Sequence, residues 1–577
     1  MNGAEYIAEF LRQRGVEKVF LMTGGACAFI VDAIARNPGL DYISMQHEQS
    51  AAMAADAVWR TTRKVGAAVA TSGPGATNLL TGIACSYFDS IPSIHITGQV
   101  NRLESAGYMG AQVRQVGFQE TDIVAMAKPV TKYAVQVSNA AELRHELAKA
   151  YNIAISGRMG PVLIDVPMNV QKEDAGDVIE YAALPAEQPS AASLKEAQEK
   201  IAAFLADAAR PAVLLGAGVG LAGVQKEVEA WLKDCGIPFV ASWNGMTYAN
   251  HDMANYCGQI GVYGNRGANS ILQNADRLLV LGSRLDNRQR SGNSKNFAPK
   301  ARVLVVDVDT EELKKYQGDG YATLGMDLKF VAPLLPKTTA GSPEWRDYVA
   351  ALKAEYFGKN MSSFAEQNHT LSPYEAVRAI NRLIDDDAIV VADTGATLCW
   401  VYQAFHRTQQ ELFTAGGMSP MGYGLPAAIA AGVHSRRQVI CCIGDGGFQL
   451  NIQELQTLVH HQLPVKIFVF NNGGYGIIKQ FQDSYLESRH EATGRGYSTP
   501  DFGKIAHAYG IAYAKVEASS DITPTLLASP GPLLVDIMLH PNTLIEPKLE
   551  MGRPIHDQFP YLPRDVFFAN NRFIEKA

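Results

Sequence analysis

The sequence predicts an α/β protein built from three doubly wound parallel sheets and a smaller C-terminal arm. Three observations lead to this prediction. A chain of 577 residues is too long for one hydrophobic core and should divide into several domains. Short apolar runs typical of buried parallel strands alternate with segments of helical periodicity. A break with Pro, Ser and Ala and a second break that begins and ends with Pro separate three segments with this alternation of strand-like and helical patterns.

The breaks at 182–192 and 333–343 set the limits of the predicted domains. We predict a first domain over 1–172, a middle domain over 190–335, a third domain over 369–550 and an ordered arm over 551–577. Helical spacing in the first domain is clearest at Ile7, Phe10 and Leu11. The predicted strands are the apolar runs 19–22, 67–70, 162–164, 212–215, 278–281, 303–306, 388–391, 439–443, 465–470 and 533–537.

Charge and cysteine content favour small-molecule chemistry in a cytoplasmic setting. Lys and Arg number 51 and Asp and Glu 58, and the net charge of −7 provides no basic surface for nucleic acid or a membrane. The seven cysteines are odd in number and never arranged as CxxC, which argues against a disulfide framework or a zinc site. The N-terminus carries acids where a secretory signal would be basic and then apolar. We expect a cytoplasmic protein that binds neither nucleic acid nor a membrane.

The sharpest local signal is a glycine-rich motif with one acid, followed one βα unit later by paired amides. The motif 444–447, Gly-Asp-Gly-Gly, comes directly after one predicted strand, and Asn471-Asn472 follows the next. Glycines at the carboxyl ends of parallel strands let backbone N–H groups approach phosphate oxygens. The oxygens of Asp445 and Asn472 suit Mg²⁺ that bridges a diphosphate. Each half alone would be an ordinary turn, but together they predict a binding site.

The stretch GDGGFQLN…FNNGGYG resembles the thiamine-diphosphate motif. Together with other segments between residue 19 and about residue 475, it makes the chain resemble the acetohydroxyacid (acetolactate) synthase family. The resemblance implies that Asp445, the Asn472 side chain and the carbonyl of Gly474 hold Mg²⁺. It also implies thiamine-diphosphate contacts from Gly446, Gly447 and Tyr475. The implied reaction is decarboxylation of a 2-oxoacid, pyruvate, and transfer of the two-carbon unit to a second carbonyl compound.

A carboxylate that activates the cofactor is predicted at Glu48. A carboxylate bonded to the aminopyrimidine favours the tautomer that removes the C2 proton of thiamine. Glu48 matches the family's glutamate, and the segment 71–78 resembles the family's turn over the pyrimidine through Gly73, Pro74 and Asn78. From composition alone, a glutamate on a helix surface is the favoured interpretation of Glu48. A purely structural Gly-Pro turn is the alternative for the segment 71–78.

A segment of the third domain, 415–426, resembles the stretch that bends the cofactor in this family. By that match Met421 wedges between the two rings, and the carbonyl of Ser419 accepts a hydrogen bond from the cofactor's amino group. Thr394 and Gly395 lie near the cofactor by the same resemblance, although only the glycine of that run is retained. The alternative for Met421 is a core methionine.

The middle domain carries a weaker glycine motif. Gly216, Ala217 and Gly218 follow a predicted strand, a pattern that many nucleotide-binding folds share. The acids of 305–309 end another strand, where they are able to hold ribose hydroxyls. Further residues resemble or are assigned to the family's flavin site: Arg158, Gly282, Arg284, Asp286, Asp307 and Asp327. The resemblance implies FAD with no redox role in the main cycle, and a domain of this shape without flavin is the open alternative.

The acceptor side departs from the family. Phe118 and Gln119 fit its substrate-side segment, where Gln119 is expected to act in catalysis beside Glu48 and Met421. Arg288 fits the arginine that meets the acceptor's carboxylate. Three residues replace the family's lysine, methionine and tryptophan, namely Met168, Val262 and Phe481. Loss of a cation and of a large ring should weaken selection for a second small oxoacid and make room for a bulkier acceptor.

Three interpretations of the function stay open. In the first, pyruvate is the donor and its two-carbon unit joins a 2-oxoacid, an aldehyde, a ketone or a nucleotide-linked keto sugar. In the second, the 2-oxoacid is decarboxylated without ligation. A non-catalytic paralogue is disfavoured because Glu48, Asp445 and Asn472 are all present. The resemblance also implies a homodimer or homotetramer with active sites at the subunit interface, and it leaves a regulatory subunit undetermined.

Overall fold

Three six-stranded parallel sheets form the framework of the protein, one in each predicted segment. The computed structural model describes residues 1–185, 188–318, 320–337, 340–359 and 363–575. Neighbouring strands of each sheet pair in parallel, and helices lie between them along the chain. The predicted class, α/β with three doubly wound sheets, is confirmed. The domain limits stay predictions.

The first domain contains strands β1 (Lys18–Leu21), β2 (Asp41–Ser44), β3 (Gly66–Ala70), β4 (Ser93–Gln99), β5 (Tyr133–Gln136) and β6 (Val162–Pro167). Their order in the sheet is β2-β1-β3-β4-β6-β5. Strands β3 and β6 are buried along their whole length, as expected for parallel strands covered on both faces. The helices are α1 (Gly3–Gln13), α2 (Ala28–Arg36), α3 (Glu48–Thr62), α4 (Pro74–Asn78), α5 (Leu80–Asp89), α6 (Ala106–Met109), α7 (Ile123–Ala127), α8 (Ala140–Ile155) and α9 (Met168–Lys172).

The middle domain contains β7 (Pro211–Leu215), β8 (Phe239–Ala241), β9 (Tyr256–Gln259), β10 (Arg277–Leu281), β11 (Arg302–Asp307) and β12 (Tyr321–Gly325), in the order β12-β11-β10-β7-β8-β9. Its helices are α10 (Ala191–Ala206), α11 (Gly218–Leu221), α12 (Gln225–Cys235), α13 (Trp243–Met246), α14 (Arg266–Asn274), α15 (Asn287–Arg290), α16 (Thr310–Leu313) and α17 (Leu328–Val331). Helix α18 (Pro343–Tyr356) follows the predicted end of this domain but packs on it, because the Trp345 indole donates to the Pro211 carbonyl at 3.0 Å. Helix α19 (Ser363–Asn368) then leads to the third domain.

The third domain contains β13 (Ile389–Ala392), β14 (Glu411–Phe413), β15 (Val439–Gly444), β16 (Lys466–Asn471), β17 (Ala512–Val516) and β18 (Leu533–Met538). Their order, β14-β13-β15-β16-β18-β17, repeats that of the first sheet. The helices are α20 (Pro373–Leu383), α21 (Ala396–Ala404), α22 (Gly424–His434), α23 (Asp445–Leu450), α24 (Leu455–His460), α25 (Gly476–Tyr485), α26 (Phe502–Tyr509) and α27 (Pro524–Leu527).

The C-terminal arm returns to the middle domain. It contains α28 (Arg564–Asn570), and the Tyr348 hydroxyl donates to the Asn570 carbonyl at 2.6 Å. Ile555 and Phe573 pack into the same apolar cluster as Tyr348. Residues 576–577 of the predicted arm lie outside the described residues. Short 3₁₀ turns occur at Gly25–Cys27, Arg102–Glu104, Lys128–Val130, Ser294–Asn296, Ala332–Leu334, Ile452–Glu454 and Ser519–Asp521.

Helix α3 packs against α22 and joins the first domain to the third. At this contact Arg60 donates to Asp56 and Asp89, and the Tyr423 hydroxyl donates to Asp56 at 2.5 Å. All four side chains are buried, so the two domains share a closed polar network as well as apolar surface. No helix in the described part of the chain is long and apolar enough to cross a membrane.

Candidate active site

Several of the predicted site segments follow strands at the point where the strand order of a sheet reverses. In the third sheet this point falls between β13 and β15, whose carboxyl ends lead to Gly395 and Asp445. In the middle sheet it falls between β7 and β10, which lead to Gly216 and Gly282. In the first sheet it falls between β1 and β3, and β3 leads to Thr71. Loops diverge at such a point and leave a crevice in which ligands bind.

Asp445 is the first residue of α23, and neutral donors hold its carboxylate in place. The backbone N–H groups of Gly473 and Gly474 donate to Oδ2 at 2.7 and 3.3 Å, and the Tyr497 hydroxyl donates to Oδ1 at 2.8 Å. Burial raises the pKa of Asp445 to about 6, although these donors act in the opposite direction. The carboxylate is therefore fixed in a crevice where a cation would compensate its charge.

Asn472 and Gly474 complete the predicted ligand set beside Asp445. The Asn472 amide is buried, and its nitrogen has no hydrogen-bond partner among the described residues. The Gly474 carbonyl accepts from the Gly476 N–H at 2.9 Å, which leaves its second lone pair available. The amide oxygen of Asn472, the fixed Asp445 carboxylate and the second lone pair of the Gly474 carbonyl are oxygen ligands of the kind that Mg²⁺ binds. These residues therefore fit the predicted ion.

Close packing at the start of α23 requires glycine. A Cβ on Gly447 would lie 2.0 Å from Asp393 Oδ2, and one on Gly446 would lie 2.3 Å from the Tyr475 ring. The Gly446 position is also 3.3 Å from the methyl carbon of Met421. The two glycines therefore let the start of α23 pack closely against Asp393 and Tyr475, and they bring Met421 and Tyr475 to the same place.

Hydrogen bonds hold the segment 415–424 against Asp393, the residue that follows β13. The Gly422 and Gly424 N–H groups donate to the buried Asp393 carboxylate at 3.1 and 3.0 Å. The hydroxyls of Thr394 and Ser419 are 2.5 Å apart, and Ser419 has a left-handed backbone with φ +53°. Thr394, Gly395, Ser419 and Met421 are thus assembled around the Asp445 motif, and Met421 is half-buried at this crevice rather than in the core.

Glu48 begins helix α3 and is only 8% exposed. Its Oε2 accepts from the Asn78 amide at 3.0 Å, and a Cβ on Gly75 would lie 3.3 Å from its Oε1. A surface position for Glu48 is therefore excluded. A Cβ on Gly73 would lie 2.9 Å from the Gln119 carbonyl oxygen, and Gln119 has a left-handed φ of +63°. The exposed Pro74 follows as the first residue of α4.

Among the described residues, no hydrogen bond joins Glu48 to Asp445, the two halves of the predicted site. In the described residues, Glu48 bonds to Asn78 of the first domain, whereas Asp445 bonds within the third. Ser50 lies on the opposite side of α3, and its hydroxyl donates to Asn451 of the third domain at 3.2 Å. Glu48 therefore points away from the contact between α3 and its own third domain.

A large cavity occupies the crevice of the middle sheet, with about 1150 Å³ of empty space that includes solvent at its mouth. A Cβ on Gly216 would lie 2.0 Å from the Gly282 carbonyl oxygen, and one on Gly218 would lie 2.6 Å from the Gly282 Cα. The walls include all the other residues assigned to the flavin site, namely Arg158, Ala217, Arg284, Asp286, Asp307 and Asp327. Glycine-lined backbone, a cation and carboxylates around an elongated space fit a dinucleotide.

The thiamine pyrophosphate enzyme family matches the chain in three places. Its N-terminal TPP binding domain matches residues 1–126, its central domain 198–331 and its C-terminal TPP binding domain 393–537. The acetolactate synthase isozyme 2 large subunit of Escherichia coli (strain K12) is 34% identical over 93% of this chain and 96% of its own length. The isozyme 1 large subunit of the same bacterium is 35% identical over 96% of each chain, and the Lactococcus lactis acetolactate synthase large subunit is 31% identical over 96% of this chain and 95% of its own.

This chain belongs to the acetolactate synthase family. The family resemblance predicted from the sequence is confirmed.

The residues that the acetolactate synthase resemblance assigns to the acceptor lie in all three domains. Phe118, which is 84% exposed, and the half-buried Met168 lie on the first domain. Val262 and Arg288 adjoin in the middle domain, because the Val262 N–H donates to the Arg288 carbonyl at 2.7 Å. Phe481 packs on Tyr485 with ring centroids 4.8 Å apart and is 39% exposed.

Three residues near these sites were missed by sequence reasoning or placed differently. Tyr497, which binds Asp445, lies in a loop with no motif of its own. Asp393 directly precedes Thr394 and Gly395. An acid at the end of a predicted strand could have indicated that it belongs to the site. Asp309 was expected to face a ribose, but it forms an ion pair with Arg158 at 2.9 Å, and only Asp307 of the two acids lines the cavity.

Proposed function

We propose that this protein binds thiamine diphosphate and Mg²⁺, decarboxylates pyruvate and joins the two-carbon unit to a second carbonyl compound, as an acetolactate-synthase-like carboligase. One observation carries the proposal: a buried, oriented carboxylate at Glu48 and a fixed oxygen-ligand set at Asp445 coexist in one chain. These are the two chemically distinct halves that a thiamine-diphosphate site needs. The named relatives are acetolactate synthases over nearly their full length.

Each half has a defined task in this mechanism. Asp445, Asn472 and the Gly474 carbonyl would hold Mg²⁺, and Gly446 and Gly447 would give the diphosphate access to backbone N–H groups. When bound, thiamine diphosphate supplies the carbon nucleophile and accepts the electrons left by CO₂ loss.

The first domain provides the carboxylate for proton transfer. Asn78 orients Glu48 through the 3.0 Å hydrogen bond, and the Glu48 carboxylate holds a proton toward the pyrimidine ring. Gln119, pressed against Gly73 at the rim, would orient the donor's oxygens. Met421 would support the bent cofactor from the third domain.

The site is completed by a second copy of the chain, because Glu48 faces away from its own third domain. The segment 103–118 beside Gln119 exposes several large apolar side chains, which a partner subunit would cover: Leu103, Tyr108, Met109, Val113, Val116 and Phe118. The active form is therefore a homodimer or a homotetramer. A cytoplasmic location accords with seven cysteines that are all free and buried.

FAD occupies the cavity of the middle domain in this proposal, with no redox role in the main cycle. Arg158, already paired with Asp309 and Glu312, would anchor one end, and the backbone at Gly216 and Gly218 would admit the phosphates. An absorbance spectrum of the purified protein tests this directly. Protein that carries no flavin after reconstitution with FAD would contradict it.

A second candidate function differs in the acceptor. Met168 and the half-exposed Phe481 replace a cation and a larger ring of the family, which favours an aldehyde, ketone or nucleotide-linked keto sugar over a second 2-oxoacid. Incubation with Mg²⁺, thiamine diphosphate, pyruvate and a panel of acceptors, with products identified by mass, distinguishes these outcomes. Acetolactate from pyruvate alone supports the first candidate, and acetaldehyde without any ligation product supports a simple decarboxylase.

Glu48→Gln tests the mechanism itself. Because the amide cannot hold the activating proton, CO₂ release from pyruvate should fall by about 100-fold or more. Glu199→Gln, on the exposed face of α10, is the matched control and should keep the wild-type rate. Full activity of Glu48→Gln in correctly folded protein would overturn the proposed role of Glu48.

A further inference from the structure

Glu120 accepts hydrogen bonds from the backbone at both ends of one surface segment. Its Oε1 accepts from the Ala106 N–H at 2.7 Å, and its Oε2 accepts from the N–H groups of Val116 and Gly117 at 2.8 and 3.2 Å. Among the described residues, these three N–H groups have no other acceptor. One carboxylate therefore closes the segment 106–117 into a loop through charge-assisted hydrogen bonds.

The backbone of Glu120 bonds to the same segment. Its N–H donates to the Gly117 carbonyl at 3.0 Å, and its carbonyl accepts from the side-chain amide of Gln115 at 3.1 Å. Gly117 is buried, and a Cβ there would lie 2.8 Å from the Glu104 carbonyl oxygen and 2.9 Å from Val100 Cγ1. This close approach requires glycine, so the end of the loop is packed tightly on the chain that leads into it.

The residue that follows Glu120 is anchored in the first sheet. The Thr121 carbonyl accepts at 2.9 Å from the side-chain amide of Gln99, the buried last residue of β4. The same amide donates to the buried Asp165 carboxylate at 3.0 Å. Glu120 therefore joins the segment 106–117 to a base that buried side chains hold in place.

Gln119 lies between these two anchors in an uncommon backbone conformation. Its φ of +63° is left-handed, and such a conformation persists where the surrounding structure imposes it. A Cβ on Gly73 would lie 2.9 Å from both the carbonyl oxygen and the Cβ of Gln119. A Cβ on Gly75 of the same turn would lie 3.3 Å from Glu48 Oε1. The hydrogen bonds of Glu120 thus act directly beside a residue that touches the turn over Glu48.

We propose that Glu120 is a positioning residue for Gln119. Its carboxylate closes the segment 106–117, and the closed loop holds Gln119 at the rim, where the donor's oxygens would be oriented. The inference rests on the proposed decarboxylation of pyruvate and on the proposed task of Gln119. Glu120 contacts neither the donor nor the cofactor in this role, so its effect on the reaction passes through Gln119.

The test is a double-mutant cycle on CO₂ release from pyruvate. Wild type, Glu120→Gln, Gln119→Ala and the double variant are compared by kcat/KM at saturating Mg²⁺ and thiamine diphosphate. Glutamine keeps the size of Glu120 but replaces one accepting oxygen by an N–H donor, so at least one backbone N–H loses its acceptor. Glu104→Gln changes an exposed carboxylate just before the segment, which is bonded to the Asn101 side chain, and is the matched control.

Glu120→Gln and Gln119→Ala should each lower kcat/KM by about 10-fold or more, the scale of one hydrogen bond to a charged group. In the Gln119→Ala background, Glu120→Gln should add less than about a twofold loss, because the side chain that it positions is already gone. Glu104→Gln should keep the wild-type value. An unchanged kcat/KM in Glu120→Gln overturns the inference. Losses that multiply in the double variant also overturn it, and they are the result that a merely structural role of Glu120 would give.

Hydrogen exchange separates a failure of this inference from a failure of the proposed function. The peptide that covers 105–118, followed by mass spectrometry, should exchange about 10-fold faster or more in Glu120→Gln than in wild type, and Glu104→Gln should match wild type. If wild type releases no CO₂ from pyruvate, the proposed function fails, and unchanged exchange of this peptide in Glu120→Gln would separately overturn the role of Glu120. If thermal unfolding shows that Glu120→Gln is not folded, Glu120→Asp, whose shorter side chain cannot reach both ends of the segment, takes its place with the same expected results.

Discussion

Replacing Arg60 by Met should loosen the helix that begins with Glu48. Arg60 lies near the end of α3 and donates to Asp56 at 2.7 Å, to Asp89 at 2.8 Å and to the Thr414 carbonyl at 3.0 Å. The substitution keeps an apolar stem of similar length but removes the cation. Two carboxylates are then left in the contact between the first and third domains without their counter-charge.

The expected loss in the free energy of unfolding follows from the burial of the two carboxylates. The Asp56 and Asp89 side chains are 0% and 4% exposed, so water cannot replace the lost cation. Removal of one partner from such a network costs about 3–5 kcal/mol. Arg36 provides the contrast, because its ion pair with Asp32 is 57% and 63% exposed and is worth about 1 kcal/mol or less. Arg36→Met should therefore cause little change.

Native-state hydrogen exchange of the α3 amides measures this difference. In Arg60→Met these amides should exchange about 100-fold faster or more than in wild type, whereas Arg36→Met should match wild type. CO₂ release should also decrease, because Glu48 depends on the position of α3. Further substitution of Asp56 and Asp89 by Asn should recover part of the lost protection. If Arg60→Met lowers the free energy of opening of α3 by less than about 1 kcal/mol, the reasoning is refuted.

Three further predictions concern single positions. Gly447→Ala places a Cβ 2.0 Å from Asp393 Oδ2, so thiamine-diphosphate binding measured by calorimetry should weaken by about 10-fold or more, and unchanged affinity would contradict the packing argument. Gly216→Ala places a Cβ 2.0 Å from the Gly282 carbonyl oxygen, so the purified variant should lack flavin absorbance, and wild-type flavin content would count against the site. Burial lowers the pKa of His95 from 6.5 to about 3, so the unfolded chain binds the proton first and stability falls as the pH drops below 6.5, by about 2 kcal/mol at pH 5. His95→Gln should flatten the slope of Tm between pH 6.5 and 5, and an equal slope in both proteins would disprove the assignment.

Local sequence patterns predicted much of the fold. The runs 212–215, 278–281 and 439–443 coincide with β7, β10 and β15 to within one residue at each end, because strands buried on both faces are uniformly apolar. The Asp445 and Gly282 turns were equally visible, since glycines and acids at strand ends mark crevices in parallel sheets. The contact of α18 with the middle domain was not visible, because it depends on the Trp345 indole reaching a distant carbonyl.

The sequence by itself determined the α/β class, the three sheets and the pair of motifs for a diphosphate and its metal ion. These features are set by periodicity and by residue types within one or two neighbouring elements. Only the tertiary structure decided that Glu48 is buried and faces away from its own third domain, and that Tyr497 reaches Asp445. The physical reason is that side chains from segments far apart in the chain meet through packing, and no local pattern specifies which of them come together.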